Sequence, residues 1–286
     1  MTYIKNNKIK VFLFSLTVIY LLTCQSCMTM RTSTSKTKIF FKDSKTSYLD
    51  STITIESNKV HFIATGNKNN PTLIFVHGSP GSWDNFKTYL KDSLLLKKYR
   101  MIAVDRPGFG YSNFGKAQNL YSQAKVLEEF TEKLSNGKNI YLIGHSYGGP
   151  AIVKMAIDKP NAYKQLVILA GAIDPDAETP EKWRKIIMSK PIRFIIPGAL
   201  RPANDELWWL KQDLINMKPN LKKITTNVLV IHGTLDDLVP YSNVPFIERE
   251  FINAKSMEVL SIKNANHFIT WEHFETIRNK LLNLKE

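Results

Sequence analysis

The strongest constraint in this sequence is a repeated pattern. Short, nearly all-apolar runs end in turns rich in glycine, proline or aspartate, and stretches with helical spacing follow them. The runs include "TLIFV" from Thr72, "RMIAV" from Arg100, "NIYLIG" from Asn139, "QLVIL" from Gln165, "NVLVI" from Asn227 and "SMEVLSI" from Ser256. A strand that is apolar on both faces has to be buried on both faces. Alternating helices supply that cover, so the expected class is α/β, with a mostly parallel sheet and helices on both sides. An alternating stretch with an Asn-Lys turn, Ser51–Gly66, reads as a β-hairpin ahead of it. "FITWEHFETIRNKLLNL" reads as one long amphipathic helix at the C-terminus.

One run ends differently from the others. "NIYLIG" passes through "HSYGG" straight into the helix-like "GPAIVKMAIDK". Ser146 thus stands between Gly144 and Gly148 where a strand meets a helix. Glycines on both sides let the two elements cross closely, and the tight turn exposes the serine oxygen. The helix N-terminus adds backbone N–H groups and a dipole that favours developing negative charge. A serine hydroxyl needs a base to take its proton. His77 and His232 sit in His-Gly turns at strand ends, His61 lies in the hairpin, and His145 leaves the backbone on the other side from Ser146. His273 falls inside the last helix. His267, in the loop "NANHFITWE", is the candidate base. The acid candidates, Asp236 and Asp237, follow the strand "NVLVIHG".

These motifs together resemble the α/β-hydrolase family from about Thr52 to the C-terminus. "HGSPGS" (His77–Ser82) is similar to its oxyanion loop and "DRPGFGYS" (Asp105–Ser112) to its Gly-rich turn. "GHSYGG" (Gly144–Gly149) resembles its nucleophile elbow, and "GTLDDLVP" with "NHFITWE" its acid and histidine loops. Asn266 stands where that family often has glycine. The resemblance implies Ser146 as nucleophile, His267 as base and Asp236 as the acid that orients it. It implies the backbone N–H groups of Ser79 and Tyr147 as the oxyanion hole, and a serine esterase that needs no cofactor or metal. A serine at the elbow argues against carboxylate-nucleophile chemistry. "HGSPG" is also similar to the H-G-G-P-G of prolyl aminopeptidases, whose substrate amine Glu178, Glu181, Asp205 and Glu206 could hold. A non-catalytic ligand-binding relative and a lyase with the same three residues are the remaining alternatives. The substrate expected is a small ester or amide.

Between Ala172 and Thr226 the strand pattern stops, while prolines and Trp183, Trp208 and Trp209 appear. This stretch, about 172–226, reads as a helical cap, and its tryptophans as the lining of an acyl or leaving-group pocket. The net charge of +14 is spread over scattered lysines, with no basic run and no aromatic interleaving, so nucleic acid is not an expected partner. Both cysteines, Cys24 and Cys27, adjoin the N-terminal apolar run, and the chain from Met28 onward has none. That excludes a cysteine nucleophile, a thiolate metal site and a disulfide in the folded domain.

The N-terminus carries Lys5, Lys8 and Lys10, then an apolar run from Val11 to Leu22. Its length suits a signal-peptide core better than a membrane span. The cysteines after it resemble the lipobox of bacterial lipoproteins, with Cys27, which follows a small serine, preferred to Cys24 as the lipidated residue. The resulting organisation is a signal peptide at 1–26, a Ser/Thr/Lys-rich tether at 27–50 and the hydrolase-like domain at 51–286. The protein is expected to be exported and held on a membrane, facing a non-cytoplasmic compartment. Carbonate washing is expected to leave it with the membrane fraction, and a Cys24→Ser/Cys27→Ser double variant to be released. A double variant retained as firmly as the wild type would point to an uncleaved anchor.

Overall fold

The computed structural model describes residues 2–24, 28–179 and 181–285. Cys27 and the expected cleavage point before it lie outside the described residues, and Cys24 ends helix α1 (Thr2–Cys24). This helix is longer than the apolar run and leaves large side chains exposed, among them Phe12, Phe14 and Leu22. Among the described residues no helix is long and apolar enough to cross a membrane. Tyr20 Oη donates to the Ile195 carbonyl at 2.9 Å, so α1 leans on the 172–226 stretch.

Among the described residues, eight strands form one sheet in the order β1-β2-β4-β3-β5-β6-β7-β8. They are β1 (Tyr48–Ile55), β2 (Asn58–Thr65), β3 (Thr72–Val76), β4 (Arg100–Val104), β5 (Ile140–His145), β6 (Gln165–Leu169), β7 (Asn227–Gly233) and β8 (Ser256–Ile262). The hairpin β1–β2 is antiparallel and joins β4 antiparallel, and every pairing from β4–β3 to β7–β8 is parallel.

Burial explains the apolar runs. Every residue of β3 is buried, and its side chains alternate between two clusters. Ile74 and Val76 pack with α5 (Leu120–Lys133) and α6 (Gly148–Asp158). Leu73 and Phe75 pack on the opposite face with Phe86, Tyr89 and α12 (Phe274–Leu282). Each such side chain contributes about 1.5–3 kcal/mol when fully buried, so the pattern is satisfied only between two layers. The smaller helices α2 (Thr34–Asp43), α3 (Lys87–Leu90) and α4 (Ser93–Lys98) complete the second layer, and α10 (Asn243–Glu250) extends the first. The stretch expected as a tether at 27–50 therefore holds a helix, because Phe41 is buried in the core beside Trp83 and Tyr48.

The 172–226 stretch contains α7 (Trp183–Ile187), α8 (Lys190–Phe194) and the long α9 (Leu200–Met217), followed by a 3-10 turn, Lys218–Lys223. The expected single C-terminal helix is two helices. His273, at φ −117° and ψ 35°, has left helical geometry and separates α11 (Ile269–Glu272) from α12.

A buried histidine ties the hairpin to the sheet. His61 on β2 has Nδ1 2.8 Å from Asp105 Oδ2 and Nε2 2.9 Å from Asp50 Oδ1. Asp105 also accepts the Trp83 and Tyr111 N–H groups, so it holds β4, the following turn and the loop after β3 together. Burial by itself would lower the His61 pKa, but hydrogen bonds and charge from Asp105 and Asp50 outweigh it and the pKa is raised. A raised folded pKa gives stability that is complete below the unfolded value of about 6.5 and is lost as pH climbs through the folded value. The Tm penalty of His61→Gln is therefore expected to be largest near pH ~6 and to shrink toward pH ~9. A penalty that stays constant across that range would show that the charge of His61 contributes nothing.

Candidate active site

Ser146 lies one residue beyond β5 and two before α6, with φ at +54°. A non-glycine residue in the left-handed region costs about 1–3 kcal/mol. Two hydrogen bonds hold it there: the Ser146 N–H donates to the Leu169 carbonyl, and the Gly149 N–H donates to the Ser146 carbonyl, each at 2.9 Å. The flanking glycines are required by crowding. A Cβ on Gly144 would lie 2.2 Å from the Gly148 carbonyl oxygen, and one on Gly148 would lie 2.1 Å from the Val76 carbonyl oxygen.

A cavity of about 750 Å³ opens above this turn. Its walls include Gly78, Ser79, Ser146, Tyr147 and His267, with Leu207 and Leu210 of α9 on the cap side. His267 comes from the loop between β8 and α11, and its Nδ1 is 2.8 Å from Asp236 Oδ2. With Asp236 ionised, Nδ1 carries the proton and Nε2 keeps its lone pair. Asp236 is buried in the loop after β7 and also accepts the N–H groups of Leu238 and Val239, at 3.0 and 2.8 Å. Burial would push its carboxyl up. Hydrogen bonds from His232, His267 and the Val239 N–H override that and hold it well below the usual carboxylate range. Asp237 is exposed and reaches the cavity rim.

Ser79 and Tyr147 line the same cavity. The Gly78–Ser79 peptide is pinned by its carbonyl, which accepts His77 Nδ1–H at 2.7 Å and Arg106 Nη2–H at 2.9 Å. In a trans peptide the N–H points opposite to the carbonyl, so the Ser79 N–H is turned away from this clamp. His77 Nε2 accepts the Arg106 N–H at 3.0 Å, which fixes its neutral tautomer. Burial, reinforced by the Arg106 charge, lowers the His77 pKa well below its usual value.

Arg106 and Trp271 were not singled out by sequence reasoning, and His145, set aside there as pointing away from Ser146, does belong to the cavity wall. His145 points at the histidine loop, and its Nε2–H donates to the His267 carbonyl at 3.2 Å. Its ring centroid is 4.9 Å from that of His267 and 5.3 Å from that of Trp271. Burial, with His267 adding to it, takes the His145 pKa down to about 3, so the ring stays neutral beside His267. Trp271 lines the cavity, and Arg106 braces it from below.

The three expected pocket tryptophans are not brought to this cavity. Trp183 is 47% exposed on α7. Trp208 and Trp209 border a separate groove with Gln212 and Asp213. The cause is helix register. Leu207, Leu210, Leu214 and Met217 recur at helical spacing and form the inward stripe of α9, leaving Trp208 and Trp209 on its flank. Of the four cap acids, Glu206 is fully buried against Arg106 and Asp205 pairs with Arg193, so neither is free to hold a substrate amine. Glu178 and Glu181 do line the cavity, beside Arg184, which pairs with Glu181.

A profile of the alpha/beta hydrolase fold family matches residues 71–194. A 2-hydroxy-6-oxononadienedioate/2-hydroxy-6-oxononatrienedioate hydrolase of Escherichia coli O81 (strain ED1a) is 33% identical over 120 residues, which is 40% of this chain and 40% of that protein. The match therefore spans well under half of that relative. Among solved structures, a membrane phospholipase A, called a novel bacterial virulence factor, aligns at 18% identity with a TM-score of 0.64 over 99% of this chain and 100% of that one. A putative lipase from Acinetobacter baumannii AYE aligns at 17% identity with a TM-score of 0.66, over 88% and 96% of the two chains. At these identities the likeness concerns architecture, and the chain adopts the alpha/beta hydrolase fold.

The crowding at Gly148 separates local propensity from tertiary demand. In an open helix Gly→Ala gains up to about 1 kcal/mol. Here Gly148→Ala forces β3 and α6 apart, and is expected to cost more than about 3 kcal/mol in urea denaturation. A neutral or stabilising effect would mean that the crossing tolerates a side chain.

Proposed function

We propose that this α/β-hydrolase-fold chain is a serine hydrolase that cleaves a carboxylic ester through an acyl-enzyme on Ser146. The observation that carries the reading is the cavity itself. A strained serine at a strand-to-helix turn and a histidine bonded to a buried, strongly acidic carboxylate share its walls.

In this mechanism His267 Nε2 takes the Ser146 proton as the oxygen attacks the ester carbonyl. Asp236 holds the imidazole tautomer and stabilises the imidazolium that forms. The Ser79 and Tyr147 N–H groups meet the oxyanion, each contributing about 3 kcal/mol. Collapse expels the alcohol, which leaves with the proton from His267. Water, deprotonated by the same imidazole, then releases the acid and restores Ser146. Leu207 and Leu210 of the cap and Trp271 of α11 give the cavity apolar walls that suit an acyl chain. Burial pushes the Glu178 carboxyl up against the opposing charges of Arg184 and Lys211, and a carboxyl that resists ionising is a poor seat for a substrate amine, which favours a neutral ester over an aminopeptidase substrate.

We also propose that the protein is held at a membrane through its N-terminus, on the far side from the cytoplasm. The support is the exposed apolar surface of α1, the lysines in its first half and the cysteines at and just beyond its end.

A fluorophosphonate is expected to label the wild type and not Ser146→Ala. Asp236→Asn is expected to lower kcat by about 10⁴ with the fold intact, because the imidazole loses its tautomer and its charge partner. Asp237→Asn is expected to stay within about tenfold, or 1.4 kcal/mol, of wild type. Turnover retained in Asp236→Asn and lost in Asp237→Asn would move the acid role to Asp237.

A further inference from the structure

We propose that the buried Arg106–Glu206 pair is a positioning device that makes the oxyanion hole conditional on the docked cap. The proposal rests on the serine-hydrolase reading above. Arg106 follows β4 in the Gly-rich turn, and Glu206 is on cap helix α9, a hundred residues away in sequence. Both side chains are wholly excluded from solvent.

All five guanidinium N–H donors have acceptors. Nε donates to the His77 carbonyl at 2.8 Å, and Nη2 to the Gly78 carbonyl at 2.9 Å. Nη1 donates to Gln123 Oε1 at 2.5 Å, and Nη1 and Nη2 each reach one Glu206 oxygen at 2.8 Å. Gln123 in turn donates to Glu206 at 2.7 Å. The planar fork leaves little freedom: with Glu206 in place, the other edge of the guanidinium has to face the two loop carbonyls.

Both proposed oxyanion donors lean on this one group. The Gly78 carbonyl that Arg106 grips belongs to the same peptide as the Ser79 N–H. The Tyr147 ring, attached to the second donor residue, lies against the guanidinium with its centroid 4.5 Å away, and the Phe109 ring is 4.7 Å away. Departure of α9 removes Glu206. Two donors then lose their acceptors, the charge is left uncompensated, and the guanidinium is released to turn toward water. The Gly78–Ser79 peptide loses one of its two pins. A cap that lifts to admit substrate therefore disarms the hole, and a cap that closes rearms it.

The test must separate positioning from bulk stability. A single substitution of Arg106 or Glu206 strands a buried charge, whereas an apolar pair of similar volume is often tolerated. The double variant Arg106→Met/Glu206→Leu is expected to keep its Tm within a few degrees and its KM within about threefold, while kcat falls about 10²-fold, in the range of a lost oxyanion donor. A trifluoromethyl ketone, which adds to the serine as an oxyanion, is expected to lose affinity by the same factor. Glu206→Gln serves as the second variant: it keeps one acceptor for Arg106 and is expected to lose kcat about tenfold at unchanged KM. Turnover and ketone affinity within about threefold of wild type in either folded variant would overturn the proposal. So would a loss that follows Tm and raises KM in proportion. Ser146→Ala, run alongside, reports on the underlying reading: if it retains turnover, that reading fails, whereas an inactive Ser146→Ala beside an unaffected double variant condemns the clamp alone.

Discussion

The site depends on one close crossing. At Gly144 and Gly148 the end of β5 and the start of α6 pass within a Cβ's width of each other and of the Val76 carbonyl on β3. That contact turns the chain through a left-handed residue and sets Ser146 above the carboxyl ends of the parallel strands. The loops after β3, β4, β7 and β8 open at the same edge, as loops of an open parallel sheet do. His77, Arg106, Asp236 and His267 come from these loops, so the sheet order, more than any local motif, decides which side chains can meet.

Glu178, Glu181 and Arg184 bring charge to the cap side of the cavity, whereas among the buried groups on the sheet side one stands out. Burial keeps His77 and His145 neutral, and Arg106 is matched donor for acceptor. Asp236 is the exception. It is held ionised by three hydrogen-bonding neighbours and faces the imidazole of His267. Buried away from water, the hydrogen bond from His267 to this carboxylate is strengthened and orients the ring. The second buried anion near the cavity, Glu206, is spent on Arg106 and so acts on the loop backbone.

Helix register accounts for the part of the cap that composition suggested wrongly. Three tryptophans in a stretch without strands drew attention because large aromatic residues favour burial. The spacing of Leu207, Leu210, Leu214 and Met217 was equally visible in the sequence and defines the buried stripe of α9. Trp208 and Trp209 fall beside that stripe, and Trp271, which does line the cavity, sat in a segment read as a single helix. The break at His273 that divides that segment has no marker such as proline or glycine.

The sequence by itself determined the class of fold, because apolar runs on the scale of one strand are stable only between two helical layers. It determined the elbow as well, since glycines on both sides of Ser146 answer a steric demand that exists wherever a strand turns into a helix over a neighbouring strand. Chain order narrowed the acid to two adjacent aspartates and the base to one loop histidine. Tertiary structure decided the rest. It set Asp236 inward at 2.8 Å from His267 and left Asp237 at the rim, a matter of loop conformation after β7. It turned His145 toward the histidine loop and matched Arg106 with Glu206. Those contacts join residues up to 122 positions apart, and only the assembled sheet and cap bring such distant parts of the chain within hydrogen-bonding range.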